Sequence, residues 1–186
     1  MSRKAPSRPR IAKGNRTFSI VASRFNAQYV QGLVDHAAEE LRLLVPDAIV
    51  SIHRVPGAFE IPVIVRELAV REFADAIIAC GVILQGETNH AQNLSRSVTD
   101  ALQQIAISHA MPVINIVLSF DTEDQARARC LENKINRGTE GARAAVEMVA
   151  TMLSVRTQET AAFQPPKRPF EKRRPSNRNT KRRPHI

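Results

Sequence analysis

Residues 76–90 read Ala76-Ile-Ile-Ala-Cys-Gly-Val-Ile-Leu-Gln-Gly-Glu-Thr-Asn-His90. The first nine carry no polar side chain apart from a cysteine thiol, and four of them are β-branched. That is the composition of a strand buried on both faces, as parallel sheets require, rather than the apolar/polar alternation of a half-exposed one. Burial then stops at Gln85. Within five residues the chain offers a glycine, a carboxylate, a hydroxyl, an amide and an imidazole. A core strand ending in such a loop would hold polar chemistry at a fixed point.

Outward from this strand the pattern alternates. Upstream, Thr17–Ala22 is a short apolar strand, followed by Val30, Leu33, Val34, Ala37, Ala38, Leu41 and Leu44 at helical spacing. Residues 48–55 read as a second strand, and Pro56-Gly57 turns it into a helix near 60–72. Downstream, Leu94, Val98, Ala101, Leu102 and Ile105 mark a third helix that stops before Pro112, and 112–118 form a fourth strand. Asp121–Asp124 is a helix start, with its acids at the positive end of the dipole. A last helix is expected over about 139–154. Four strands alternating with helices predict an α/β fold: a three-layer α/β/α sandwich around a four-stranded parallel sheet. Ligands of such sheets sit at the carboxyl ends of the strands, so the informative loops are 23–26, 56–60, 86–90 and 119–124.

The chain has 186 residues, enough for one domain with a sizeable core. Its formal charge of +9 is unevenly distributed. Residues 1–16 carry six Lys or Arg and no acid; residues 165–186 carry nine and a single acid, Glu171. That leaves 12 basic and 17 acidic groups in 17–164, a mildly acidic body between basic ends. The domain expected from this division is 17–156, flanked by a basic extension over 1–16 and a basic, Pro-rich tail over 157–186 that is expected to be disordered. The tail would either hold RNA or another polyanion by sequence-blind phosphate contact or serve as a solubilising segment. The acidic body lacks the basic and aromatic interleaving of a nucleic-acid-binding module. No apolar run approaches the ~18 residues of a membrane span, and the basic start has no apolar segment behind it. Cys80 and Cys130 form neither a disulfide framework nor a metal spacing, which points to a reduced, cytoplasmic setting.

Several chemistries are excluded as leading readings. There is no Gly-rich dinucleotide fingerprint, no Walker loop, no nucleophile elbow, and no partner for His90 at metal spacing. What remains is Phe25 after the first strand, Pro56-Gly57-Ala58-Phe59-Glu60 after the second, and Gly86–His90 after the third. Gly86 would let backbone amides approach an anion, and Thr88 adds a hydroxyl near a helix N-terminus, which suits a small phosphate. His90 is able to exchange a proton near neutral pH. Phe25 would stack on a flat heterocycle, and Glu60 would accept hydrogen bonds from sugar hydroxyls. Each residue also has a plainer reading: Phe25 as core, Glu60 as a helix cap, His90 as a solvated side chain, and the α-helical arginines 127 and 129 as a solvated face.

Taken together, Ser23-Arg-Phe-Asn26, Val55-Pro-Gly-Ala-Phe-Glu-Ile-Pro62, Gly81–His90, Asp121–Ala126 and Asn136-Arg-Gly138 resemble the 6,7-dimethyl-8-ribityllumazine synthase family in order and spacing. The resemblance covers roughly residues 15–154. It implies a flavodoxin-like sandwich, a cofactor-free and metal-free condensation in riboflavin synthesis, and homopentamers, or multiples of them, with sites between subunits. Carried over by position, Phe25 would stack on a pyrimidine ring. Ala58, Phe59 and Glu60 would hold a ribityl chain, and Val82 and Ile83 would line the ring pocket. Gly86, Glu87 and Thr88 would cradle phosphate with Arg129 of a neighbouring subunit, and His90 would transfer protons.

Three positions depart from the family pattern. Asn115 stands where many relatives have an aromatic that reaches the neighbour's pocket, Arg137 replaces a common lysine, and Gln85 a frequent arginine. The competing reading is a non-catalytic shell or ligand-binding protein of the same fold, whose basic ends recruit RNA or acidic cargo.

Overall fold

The computed structural model describes residue 9, residues 15–86 and residues 88–162, with backbone alone for 158–162. The elements follow in the expected order: β1 (Thr17–Ser23), α1 (Ala27–Leu44), β2 (Ile49–Val55), a 3-10 turn (Ala58–Glu60), α2 (Ile61–Val70), β3 (Ala76–Leu84), α3 (His90–His109), β4 (Val113–Phe120), α4 (Glu123–Cys130) and α5 (Arg137–Ala162). The four strands are parallel and lie in the order β2-β1-β3-β4.

Strand periodicity divides the core in two. Phe18, Ile20, Ile78, Cys80 and Ile116 face α1 and α5, where Leu33, Leu41, Ala142 and Val146 complete one layer. Val21, Ile77, Ala79 and Val117 face the other way, against Ile61 and Val65 of α2 and Val98 and Leu102 of α3. Because β1 and β3 are central, residues of both parities are buried, and Ala76–Ile83 is buried throughout. This is the three-layer sandwich that the strand–helix alternation predicts, with the flavodoxin-like character that the family resemblance implies. The edge strand β2 differs: Ile49 and Ile52 are exposed. No helix among the described residues is long and apolar enough to cross a membrane.

Thr122 caps α4 by accepting a hydrogen bond from the Gln125 N–H at 3.3 Å, with Glu123 and Asp124 in the first turn, as the sequence predicts. The last helix, expected to end near 154, runs on to Ala162, past the boundary placed at 156. Thr157–Ala162 contains neither Pro nor Gly, and Ala is the best helix former, so nothing local breaks the helix before Pro165. The expected tail therefore shares its first six residues with α5; 163–186 lie outside the described residues.

The sheet order fixes where a ligand belongs. The connection from β1 to β2 runs one way along the sheet and the next, to β3, returns past β1 to its other side. The loops leaving β1 and β3 thus diverge and open a crevice at their carboxyl ends.

Candidate functional site

A cavity of about 430 Å³ occupies that crevice. Phe25 and Asn26 line it from the end of β1, Gly57–Glu60 from the turn after β2, Val82–Leu84 from the end of β3, and His90, Ala91 and Leu94 from the first turns of α3. Its lining is mostly apolar, with a few convergent polar groups, the usual character of a small-molecule site. Seven of the expected residues meet here: Phe25, Ala58, Phe59, Glu60, Val82, Ile83 and His90. A second cavity, of about 440 Å³, lies at the opposite end of the sheet, bordered by Thr17, Asp75, His109 and Arg156.

Phe25 is 73% exposed and Phe59 64%. The core reading of Phe25 therefore fails: within one chain both rings are largely exposed at the cavity. Phe25 owes its position to Asn26, whose left-handed backbone (φ 54°) turns the chain from β1 into α1. The Asn26 side chain donates to the Val82 carbonyl at 2.8 Å and ties this turn to β3. Sequence reasoning did not single out Asn26 as a site residue. The available signal was an asparagine between a strand end and a helix start, since Asn tolerates the left-handed region better than most residues.

Glu60 accepts a hydrogen bond from the Gly57 N–H at 2.8 Å and so caps the 3-10 turn; it makes no side-chain cap to α2, the helix it is expected to cap. A carboxylate offers about four lone-pair sites, and one backbone N–H leaves acceptor capacity for hydroxyl groups. Glu60 can serve both purposes.

The loop after β3 is braced from within. The Gln85 side chain donates to the carbonyls of Gly86 and Thr88, each at 3.2 Å, and the Thr88 hydroxyl accepts from the His90 N–H at 3.4 Å. Gln85, noted as a departure from the family, is thus a strut of the loop. Among the described residues a Cβ built on Gly86 meets nothing within 4 Å, and its φ lies outside the left-handed region. Neither packing nor backbone conformation demands glycine there. The loop leads into α3, a 20-residue helix whose first turn holds no acid and whose Asn89 cap makes no side-chain hydrogen bond to it. The positive end of this helix would therefore face an anion beside His90 without an acidic side chain or an Asn89 cap in its first turn, the His90 N–H itself being taken by Thr88. Glu87 lies outside the described residues.

The remaining expected residues lie away from the cavity. Arg129 is half-buried on α4. Asn115 is exposed on β4, where its amide donates to Thr99 Oγ1 at 3.2 Å and its Oδ1 accepts from the Val117 N–H at 2.9 Å. Arg137, in the first turn of α5, forms an ion pair with Glu140. Its neighbours Asn136 and Gly138 have structural reasons for their identity. The buried Asn136 side chain donates to the Cys130 and Glu132 carbonyls and accepts from the Gly138 N–H at 2.8 Å. A Cβ on Gly138 would sit 2.2 Å from the Leu33 carbonyl oxygen, so α5 can approach α1 only with glycine there.

The family model described as 6,7-dimethyl-8-ribityllumazine synthase matches residues 15–153, which span all four strands and every element of the cavity. The chain belongs to this family. A 6,7-dimethyl-8-ribityllumazine synthase of Halorhodospira halophila is 38% identical over 143 residues, covering 76% of this chain and 92% of the relative. One from Nitrosomonas europaea is 38% identical over 144 residues, 77% of this chain and 85% of the relative. Another, from an Azoarcus species, is 39% identical over 137 residues, 73% and 85%. As a lumazine synthase family member the chain is an enzyme, a transferase of riboflavin biosynthesis, and the cavity above the switch between β1 and β3 is its candidate active site.

Proposed function

We propose that the enzyme condenses 5-amino-6-ribitylamino-uracil with 3,4-dihydroxy-2-butanone 4-phosphate, giving 6,7-dimethyl-8-ribityllumazine, inorganic phosphate and water. The observation that carries this reading is the meeting, in one cavity, of an exposed aromatic face, a carboxylate and an imidazole beside an open helix N-terminus. A flat ring, a polyol and a phosphate are the three parts that such a set would bind.

In this reading Phe25 stacks on the pyrimidine, backbone groups at Val82 and Ile83 meet the ring edge, and Ala58, Phe59 and Glu60 hold the ribityl hydroxyls. Gly86, Glu87 and Thr88, with the first N–H groups of α3, receive the phosphate. The amine of the uracil adds to the ketone carbonyl. His90, at the rim where phosphate and carbonyl lie together, moves the protons that let water depart from the adduct and phosphate leave. The ring then closes with loss of further water. Holding both reactants in register supplies much of the rate, and proton transfer by a placed side chain typically adds ~10²–10⁴-fold.

Arg129 and Asn115 lie outside the cavity of their own chain; in this reading a neighbouring subunit of a homopentamer, or a multiple of one, brings them to the site. Arg137, paired with Glu140, would have to exchange that partner to meet a substrate. The setting proposed is the cytoplasm. The catalytic unit proposed is 17–162, the expected 17–156 lengthened by the end of α5, with the basic segments outside it.

The test is to mix purified protein with both substrates and follow the lumazine chromophore by absorbance alongside phosphate release. The two should appear in equal amounts, and His90→Ala should slow both by about 10²–10⁴-fold with the fold intact. Binding of the ribitylamino-uracil without product would refute the catalytic reading.

A further inference from the structure

Gln85 stands where the buried strand gives way to the loop, and its backbone and side chain are engaged in different directions. Its backbone N–H donates to the Phe120 carbonyl at 2.9 Å, which fixes the residue to the end of β4. Its side-chain amide reaches forward to the Gly86 and Thr88 carbonyls, at 3.2 Å each. The Thr88 hydroxyl in turn accepts from the His90 N–H at 3.4 Å, so contacts run unbroken from the end of β3 to the first residue of α3. Two cavities lie on either side of this junction. His90, Ala91 and Leu94 border the candidate active site, whereas Gln85 borders a groove with Gln92, Ser95, Arg96 and Ser119. The Gly86 and Thr88 carbonyls are therefore drawn toward the groove.

We infer that Gln85 is a positioning residue for phosphate: by holding these two carbonyls back, it keeps acceptor oxygens out of the anion site. No peptide among the described residues is cis, and in a trans peptide the N–H points opposite to the C=O. Fixing the Thr88 carbonyl toward Gln85 thus turns the Asn89 N–H the other way, away from the groove. Backbone amides oriented in this manner suit an anion. Without the strut both carbonyls are free to turn, and a partly negative oxygen would meet the phosphate where a donor is needed. Core packing is not what Gln85 supplies, since its side chain is exposed and the residues lining the groove are all polar. Nor does His90 depend on the strut for its place, because Ala91, Val98 and Leu102 anchor α3 in the core. The effect falls on phosphate affinity rather than on proton transfer. This inference rests on the reading of the loop as the phosphate site.

The test compares Gln85→Met, which keeps the length of the side chain without its donor, with Gln85→Arg, whose guanidinium can donate to both carbonyls. Inorganic phosphate is titrated into each full-length protein and followed by phosphorus NMR, beside steady-state lumazine formation. Gln85→Met should raise the Kd for inorganic phosphate and the KM for the butanone phosphate about tenfold, the usual worth of one to two neutral hydrogen bonds. Its kcat should stay within about threefold of native and its KM for ribitylamino-uracil within about twofold, with the urea midpoint unchanged. Gln85→Arg should bring both phosphate readouts back to within about threefold of native. The inference is overturned if Gln85→Met binds inorganic phosphate as tightly as the native protein. It is also overturned if Gln85→Met loses stability and affinity for both substrates together, or if Gln85→Arg is as impaired as Gln85→Met. Weaker phosphate binding in Gln85→Met, beside a native protein that forms no lumazine, would uphold the strut and strike the condensation alone. A native protein that forms lumazine with a KM that Gln85→Met matches would sink the strut and leave the condensation standing.

Discussion

Gly86→Ala tests the phosphate loop, because the structure separates what the fold needs from what a ligand needs. A methyl group at this position meets nothing within 4 Å among the described residues, and the backbone there is not left-handed. Replacing glycine by alanine at a compatible site stabilises by about 0.4–1 kcal/mol, through the unfolded chain. The variant should therefore melt at the same temperature as the native protein or slightly above it. If a substrate phosphate lies against the loop's backbone, the methyl group stands in its way. Displacing one charge-assisted hydrogen bond costs about 1.5–3 kcal/mol, or roughly 10- to 150-fold in kcat/KM. The assay is kcat/KM for the butanone phosphate at saturating ribitylamino-uracil, beside a urea titration. Gly138→Ala is the contrast: its Cβ would sit 2.2 Å from a backbone oxygen of α1, so it should lose about 1–3 kcal/mol of stability. A Gly86→Ala enzyme with kcat/KM within twofold of native would refute the reasoning, and so would one that lost activity and stability together.

Other expectations concern the scaffold. Arg143 and Glu40 pair at 2.8 Å with side chains 18% and 6% exposed. Arg143→Ala should cost about 1.5–3 kcal/mol in a urea titration, the usual worth of a hydrogen bond between charged groups. Asn136→Ala should cost roughly 2–5 kcal/mol by the same measurement, since it leaves the Gly138 N–H and the Cys130 carbonyl without their partner. Burial raises the Cys130 thiol to about 12, and burial raises Cys80 further. A thiol reagent at pH 8 should therefore find no reactive cysteine in the native protein and two after denaturation. Because the folded state holds these protons more tightly, the stability they contribute is complete below the unfolded thiol pKa, about 8.5. It is lost as pH rises toward 12, which a series of urea titrations would follow.

What the sequence disclosed follows from how local each signal is. The strand at 76–84 and the helix stripe from Val30 to Leu44 are repeated patterns, each residue corroborating the next, and the sandwich followed from them. The loop residues Phe25, Glu60 and His90 were legible as polar or aromatic groups at strand ends, though only the three-dimensional crevice shows that they meet. Three features depended on partners distant in sequence and left no local trace. Asn26 is defined by the Val82 carbonyl, 56 residues away; Gly138 by the backbone of Leu33; and the commitment of Asn115 by Thr99. The end of α5 was misjudged for another reason. A change in composition was read as a change in structure, whereas the helix stops responding to the core well before it stops being helical.

The loop proposed to receive the phosphate hangs from β3, which is buried from Ala76 to Ile83 and bonded to a strand on each side. Amides in such a strand exchange with solvent only when the whole molecule opens. The frame of reference for the reacting groups thus persists as long as the fold does. Heating should erase activity in a single step with the global transition, and enzyme that has lost activity while keeping its slowest-exchanging amides should not accumulate.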